Sequence, residues 1–154
     1  MKLINAKVEL AGLVAAETDA PFVAFLDAGI RKVFRNPEES FSRLRNLRMR
    51  ADLSGTVVPG CWPPEPWSQE KLARKVCWIF CGGFFVTPRG EAGRLAARAA
   101  AALESFVASG RLTWEVNVWV HMMCLRDSPE IHWFAADHND RMTMVPAEYL
   151  EASM

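Results

Sequence analysis

Residues Phe22-Val23-Ala24-Phe25-Leu26 form an unbroken apolar run that stops abruptly at Asp27-Ala28-Gly29. The run has strand length, and a strand with no polar face is one covered on both sides, as in layered α/β architectures. It therefore predicts a sheet flanked by helices, with a carboxylate at the C-terminal end of a buried strand. Open α/β sheets bind ligands at that end of their strands, which makes Asp27 the first candidate site residue. The bland alternative is an Asx turn that closes the strand and needs no ligand.

The rest of the chain supplies elements to build around that strand. Asn5 can cap a helix carrying Val8, Ala11, Leu13, Val14 and Ala15. Asn36-Pro37-Glu38-Glu39 opens a helix predicted to run to about Met49, with a cap, a first-turn proline and two acids at the positive end of the dipole. Thr56-Val57-Val58 reads as a short strand. Pro59 to Trp67 carries four prolines and a glycine and reads as irregular, and Ser68 caps a helix to about Lys75. Val76–Cys81 and Phe84–Val86 read as strand segments broken by Gly82-Gly83. Gly90–Ala108 is a helix with Leu95, Ala99, Ala102, Leu103 and Phe106 on one stripe and Gly110 past its end. Trp114 to about Leu125 is another helix, and Ile131–Ala136 is a last strand that ends at Asp137-His138-Asn139-Asp140.

With 154 residues, the chain suits one domain of average size, predicted over 1–154. Eighteen basic residues balance eighteen acidic ones, so no overall field favours nucleic acid or an anionic membrane. Residues 31–50 are locally basic, with Arg31, Lys32, Arg35, Arg43, Arg45, Arg48 and Arg50 against Glu38 and Glu39. No recognition motif accompanies them, so nucleic acid is not an expected partner and a solvated helix face accounts for the charge. No apolar stretch approaches a membrane span or a signal peptide, and the expected location is cytoplasmic. Cys61, Cys77, Cys81 and Cys124 are too few and too irregular for a disulfide framework.

Three segments in order, Phe25-Leu26-Asp27-Ala28-Gly29-Ile30, Cys81-Gly82-Gly83-Phe84-Phe85-Val86, and Glu115-Val116-Asn117-Val118-Trp119 leading to Ala136-Asp137-His138-Asn139, resemble GT-A-fold glycosyltransferases. They are most similar to the bacterial HtrL/YibB-type group associated with polysaccharide biosynthesis. The likeness spans roughly residues 5 to 145, and the order and spacing of the segments carry it. It implies a truncated GT-A, nucleotide-diphospho-sugar-transferase-like fold with a mixed, mostly parallel sheet. The implied activity is transfer of a hexosyl unit from a nucleotide-sugar donor to a saccharide acceptor, with a divalent metal, Mn or Mg, as cofactor. In such enzymes an Asp-x-Asp signature holds a cation that stabilises the departing diphosphate. Asp27 matches the first acid, but Gly29 stands at the third position, and one carboxylate holds a hard cation weakly. The resemblance offers Asp137 or His138 as further metal ligands. It places Asp27, Gly29, Gly82 and Gly83 around the donor and an acidic residue, Glu115, near the acceptor. In the first turn of its helix the dipole favours the ionised form, which suits a catalytic general base or an electrostatic stabiliser more than a neutral acid. Trp62 in the proline-rich loop offers an aromatic face for the donor sugar. A polar turn explains Asp137-His138-Asn139-Asp140 equally well, a β-bulge explains the glycine pair, and a helix-dipole partner explains Glu115.

The resemblance also implies an N-terminal βαβ portion that cradles the nucleoside, and this chain starts at the helix just before the Asp27 strand. The alternative function is therefore a non-catalytic saccharide- or nucleotide-binding domain on the same scaffold. An exposed sheet edge would then pair with a second copy or a partner chain. Two zinc patterns, Cys77-x-x-x-Cys81 and His121-x-x-Cys124, are set aside. On a strand the two cysteines would lie about 13 Å apart, and buried thiols are the expectation.

Overall fold

The computed structural model describes residues 6–152. Four strands, β1 (Phe22–Leu26), β2 (Thr56–Gly60), β3 (Phe84–Pro88) and β4 (Ile131–Ala135), form one sheet in the order β1-β3-β2-β4. The helices are α1 (Lys7–Glu17), α2 (Pro37–Arg45), α3 (Gln69–Arg74), α4 (Arg89–Ala108) and α5 (Glu115–Met123), with short 3-10 turns at Ile30–Val33, Asp140–Thr143 and Ala147–Tyr149. Among the described residues no helix is long and apolar enough to cross a membrane.

The architecture is α/β, with a mixed sheet and flanking helices. It departs from expectation in strand direction. β3 runs antiparallel to both neighbours, β1 and β2, and only β2 and β4 pair in parallel. The physical reason lies in residues 76–81, which form no strand. Cys77, Ile79, Phe80 and Cys81 are all buried without alternation, and the backbone of the segment is tied to the end of β2. The Trp78 carbonyl accepts from Cys61 and Trp62 N–H, and Cys81 N–H donates to Pro59 O. The chain thus reaches β3 at the end of the sheet where β1 and β2 finish, and it has to run back between them. Trp133 Nε1–H donates to Ile79 O, and a Cβ on Gly60 would sit 1.7 Å from that same oxygen. Gly60 is the residue that lets the buried loop lie against the strand end.

Side-chain alternation divides the strands between two cores. Val23, Val58 and Phe85 face a core shared with α1, α3, α4 and α5, while Val57, Phe84, Val86 and Phe134 face one closed by Ile30, Phe34, Met49, Met142 and Val145. α1 crosses α4 closely because the contact is built from small side chains, with Ala11, Ala15, Ala92 and Ala99 buried and a Cβ on Gly12 only 3.0 Å from that of Ala96. Leu10, Leu13 and Val14 on the opposite side of α1 are exposed.

Helix ends follow local chemistry. The Asn36 and Ser68 side chains accept from Glu39 and Lys71 N–H, as N-caps should. α2 stops at Arg45 rather than near Met49, since Met49 leaves the helix to bridge to Leu150. The Asn5 cap lies outside the described residues. α5 begins at Glu115 after Trp114, and Thr113, instead of capping it, donates its hydroxyl to Leu72 O.

Candidate functional site

Because β1, β2 and β4 point the same way, their C-terminal ends and the start of β3 gather at one end of the sheet. Asp27 follows β1, Cys61 follows β2, Asp137 and His138 follow β4, and Gly82-Gly83 lead into β3. A cleft of about 310 Å³ opens there, lined by Lys7, Asp27, Gly29, Trp78, Gly82, Gly83, Glu115 and His138, with Ile30, Val33 and Met142 as its apolar wall. Segments separated by more than a hundred residues in sequence are thus brought around one opening.

Lys7, in the first turn of α1, holds the cleft together. Its ammonium lies 2.8 Å from Glu115 Oε1 and 3.2 Å from Asp27 Oδ2, and it donates to Gly82 O at 2.9 Å. Lys7 and Glu115 side chains are each 12% exposed, whereas Asp27 is 40% exposed. The Asp27 Oδ1 accepts the Gly29 N–H at 2.8 Å, the Asx turn foreseen as the simple reading. That bond, with Lys7 adding to it, holds the Asp27 carboxyl below the usual carboxylate range. Gly82 has no room for a side chain, because a Cβ there would stand 2.7 Å from Glu115 Oε1 and 3.1 Å from Val116 Cγ1.

On the far rim, His138 packs edge-on against Trp78, with ring centroids 4.7 Å apart. Burial lowers the His138 pKa and favours the neutral imidazole. Its Nδ1 lies 3.5 Å from Cys61 Sγ and 4.0 Å from Cys81 Sγ, and the two sulfurs are 3.4 Å apart. All four cysteines are free thiols. Burial pushes the Cys61 and Cys81 thiols upward, most strongly Cys81.

Of the residues singled out from the sequence, Asp27, Gly29, Gly82, Gly83, Glu115 and His138 all line the cleft. Asp137 lies beyond it, with Oδ1 3.6 Å from Cys61 Sγ and accepting the His138 N–H. Trp62 is not part of the lining. It stacks on the buried Trp67 at 5.9 Å, and Trp78 is the tryptophan that lines the cleft. Asn139 and Asp140 do what a polar turn does: Asn139 accepts Arg141 N–H, and Asp140 accepts from Arg35 N–H, Asn36 N–H and Ser40 Oγ–H, anchoring the start of α2.

The donors around the cleft do not fit a hard divalent cation. Asp27 already has one oxygen on a backbone N–H and the other against an ammonium, and the donor atoms that converge with His138 are two sulfurs, whereas Mg and Mn favour all-oxygen sets. Neither zinc pattern assembles among the described residues, though not through strand spacing, since residues 76–81 form no strand. Cys77 belongs to the core on one face of the sheet and Cys81 to that on the other, and His121 bonds Ser105 Oγ. Sequence reasoning missed two things here: Lys7, which nothing in its neighbours marks, and Cys61 as partner of Cys81, since the prolines around it hide where the loop leads.

Comparison with family models finds none that matches this chain, and comparison with curated proteins finds no match either.

Proposed function

We propose that the cleft binds a nucleotide sugar and transfers its glycosyl unit to a saccharide acceptor. The observation that carries the reading is the meeting of three separate motifs, Asp27 through Gly29, Gly82-Gly83, and Glu115 with His138, around one opening at the strand ends. The donor sugar would lie along the Gly82-Gly83 backbone, beside Trp78. Glu115 takes the proton of the acceptor hydroxyl as that oxygen forms its bond to the anomeric carbon, and the bond from that carbon to the diphosphate oxygen breaks with its electron pair leaving on the diphosphate. Lys7 supplies the fixed positive charge beside the reacting groups, which an enclosed site makes more effective than water would. Asp27 positions Lys7 and the Gly29 turn.

Calorimetric titration with uridine and guanosine diphosphates, with and without manganese and alongside Asp27→Ala, tests the reading. Binding that the variant loses supports it. A folded protein that binds neither overturns an autonomous transferase.

A second reading, a non-catalytic saccharide- or nucleotide-binding domain, is favoured by one observation: the Lys7 ammonium engages both carboxylates, leaving the cleft internally neutralised. Diphosphate or oligosaccharide binding without turnover would distinguish it. The open edge of β1 and the exposed Leu10, Leu13 and Val14 of α1 support pairing with a second copy or a partner chain.

A further inference from the structure

We infer that Cys61, Cys81 and His138 form a binding site for a zinc-like, borderline-soft divalent metal ion at the rim of the cleft. With Zn–S of about 2.3 Å and Zn–N of about 2.05 Å, tetrahedral angles place two ligand sulfurs about 3.8 Å apart and a sulfur about 3.6 Å from a nitrogen. The observed separations are 3.4 Å for the sulfur pair and 3.5 and 4.0 Å for the two sulfur–nitrogen pairs. Shifts of a few tenths of an ångström convert the cluster into three corners of a tetrahedron. Two thiolates and an imidazole are the donors such an ion selects over Mg or Ca.

The site is built by the fold and not by one flexible loop. Cys61 is fixed by the end of β2, Cys81 by the buried turn into β3, and His138 by the residues after β4, with Cys81 fully buried and the other two partly exposed. The imidazole is held by its edge contact with Trp78. The Asp137 carboxylate, largely exposed, stands beside the cluster, 3.6 Å from Cys61 Sγ and 4.0 Å from His138 Nδ1. An ion here would tie three strand ends together and fix His138 at the cleft wall. Its binding displaces the two thiol protons, which pass to the buffer.

Cobalt(II) serves as the probe, added to metal-free wild-type protein kept reduced with a phosphine under inert gas, so that no Cys61–Cys81 disulfide competes. One cobalt per chain is expected, with tetrahedral ligand-field bands, thiolate-to-cobalt charge transfer in the near ultraviolet, displacement by zinc, and release of about two protons per ion. Loss of a ligand should exceed the effect of losing an outer-shell partner, so Cys61→Ser and His138→Asn should each weaken binding by at least about 100-fold. Cys124→Ser should leave binding unchanged. Cys61 is partly exposed, so its variant tests the site without the folding risk of altering buried Cys81, and circular dichroism verifies the fold. A folded wild type that takes up no cobalt, or charge transfer equally strong in Cys61→Ser and His138→Asn, overturns the proposal. The readout needs no nucleotide sugar, so its outcome is independent of the transferase reading.

Discussion

Lys7 Nζ stands 2.8 Å from Glu115 Oε1, joining the first turn of α1 to the first turn of α5 across the floor of the cleft. The same ammonium reaches Asp27 and the Gly82 carbonyl, so one side chain neutralises two acids and satisfies a backbone acceptor. Removing one partner of a buried ion pair costs more than the pair contributes, because it strands the remaining charge. Lys7→Met should therefore destabilise the protein by about 3 kcal/mol in urea unfolding, while the double variant Lys7→Met/Glu115→Gln should recover part of that loss. Additive effects of the two changes would mean that the contact carries no coupling.

Asp27 gives the cleft a pH dependence of definite sign. The Gly29 N–H and Lys7 hold its folded-state carboxyl below the ordinary value of 3.8, and Glu115 is the acid that shares Lys7 with it. A depressed carboxyl contributes stability that is fully present above the unfolded value and is lost as pH falls through the folded one. The difference in unfolding free energy between wild type and Asp27→Asn should be largest at neutral pH and shrink as the pH is taken below 3.8. A difference that stays constant across that range would remove Lys7 and the Gly29 turn as the cause.

Asn117 was visible in the sequence only as part of a motif, and its work is structural. It is fully buried, and its amide donates to Leu72 O, Lys75 O and Thr113 Oγ while its carbonyl accepts Cys77 N–H. Those bonds fix the end of α3 and the start of the buried loop against α5. Leaving several buried groups unpaired costs about 1–3 kcal/mol each, so Asn117→Ala should lose about 3 kcal/mol or more. A loss under about 1 kcal/mol in chemical denaturation would show that the loop re-satisfies itself.

Much of the architecture is legible in the sequence where one local rule decides. The Phe22–Leu26 strand, the Asn36 and Ser68 caps and the alanine-rich α4 follow from apolar runs, capping chemistry and periodicity and are found in place. But β1 is an edge strand with only Val23 buried and Ala24 and Leu26 exposed, not the strand covered on both faces that its apolar run predicts. The antiparallel insertion of β3 is not legible. Val76–Cys81 is apolar like a strand, but its burial comes from packing beneath α5 and against the end of β2, a tertiary fact that no local pattern encodes. The same distinction separates the site residues. Asp27, Gly82 and Glu115 sit at ends of elements that can be read from sequence. Lys7 and the Cys61–Cys81 juxtaposition depend on how β2, the loop and α1 meet at one end of the sheet.

Gly82 ties the position of Glu115 to the proposed reaction. A Cβ at this position would meet the end of the Glu115 side chain, Oε1 at 2.7 Å, and Val116 Cγ1 at 3.1 Å. The carboxylate can swing aside only by leaving its place against Lys7, while the β3 pairing that begins at Phe84 is untouched. Misplacing a reacting group by about 1 Å can cost about 100-fold in rate. If the cleft carries the proposed transfer, Gly82→Ala should reduce it by about that factor, and because Glu115 then leaves Lys7 the variant should also lose stability, up to the roughly 3 kcal/mol of the broken pair. Gly83→Ala is the comparison: its nearest neighbour is Ile30 Cδ1 at 3.4 Å, an ordinary contact, so turnover should fall far less. Equal losses in the two variants would show that the bare backbone, and not the Glu115 position, is what the cleft requires at these glycines.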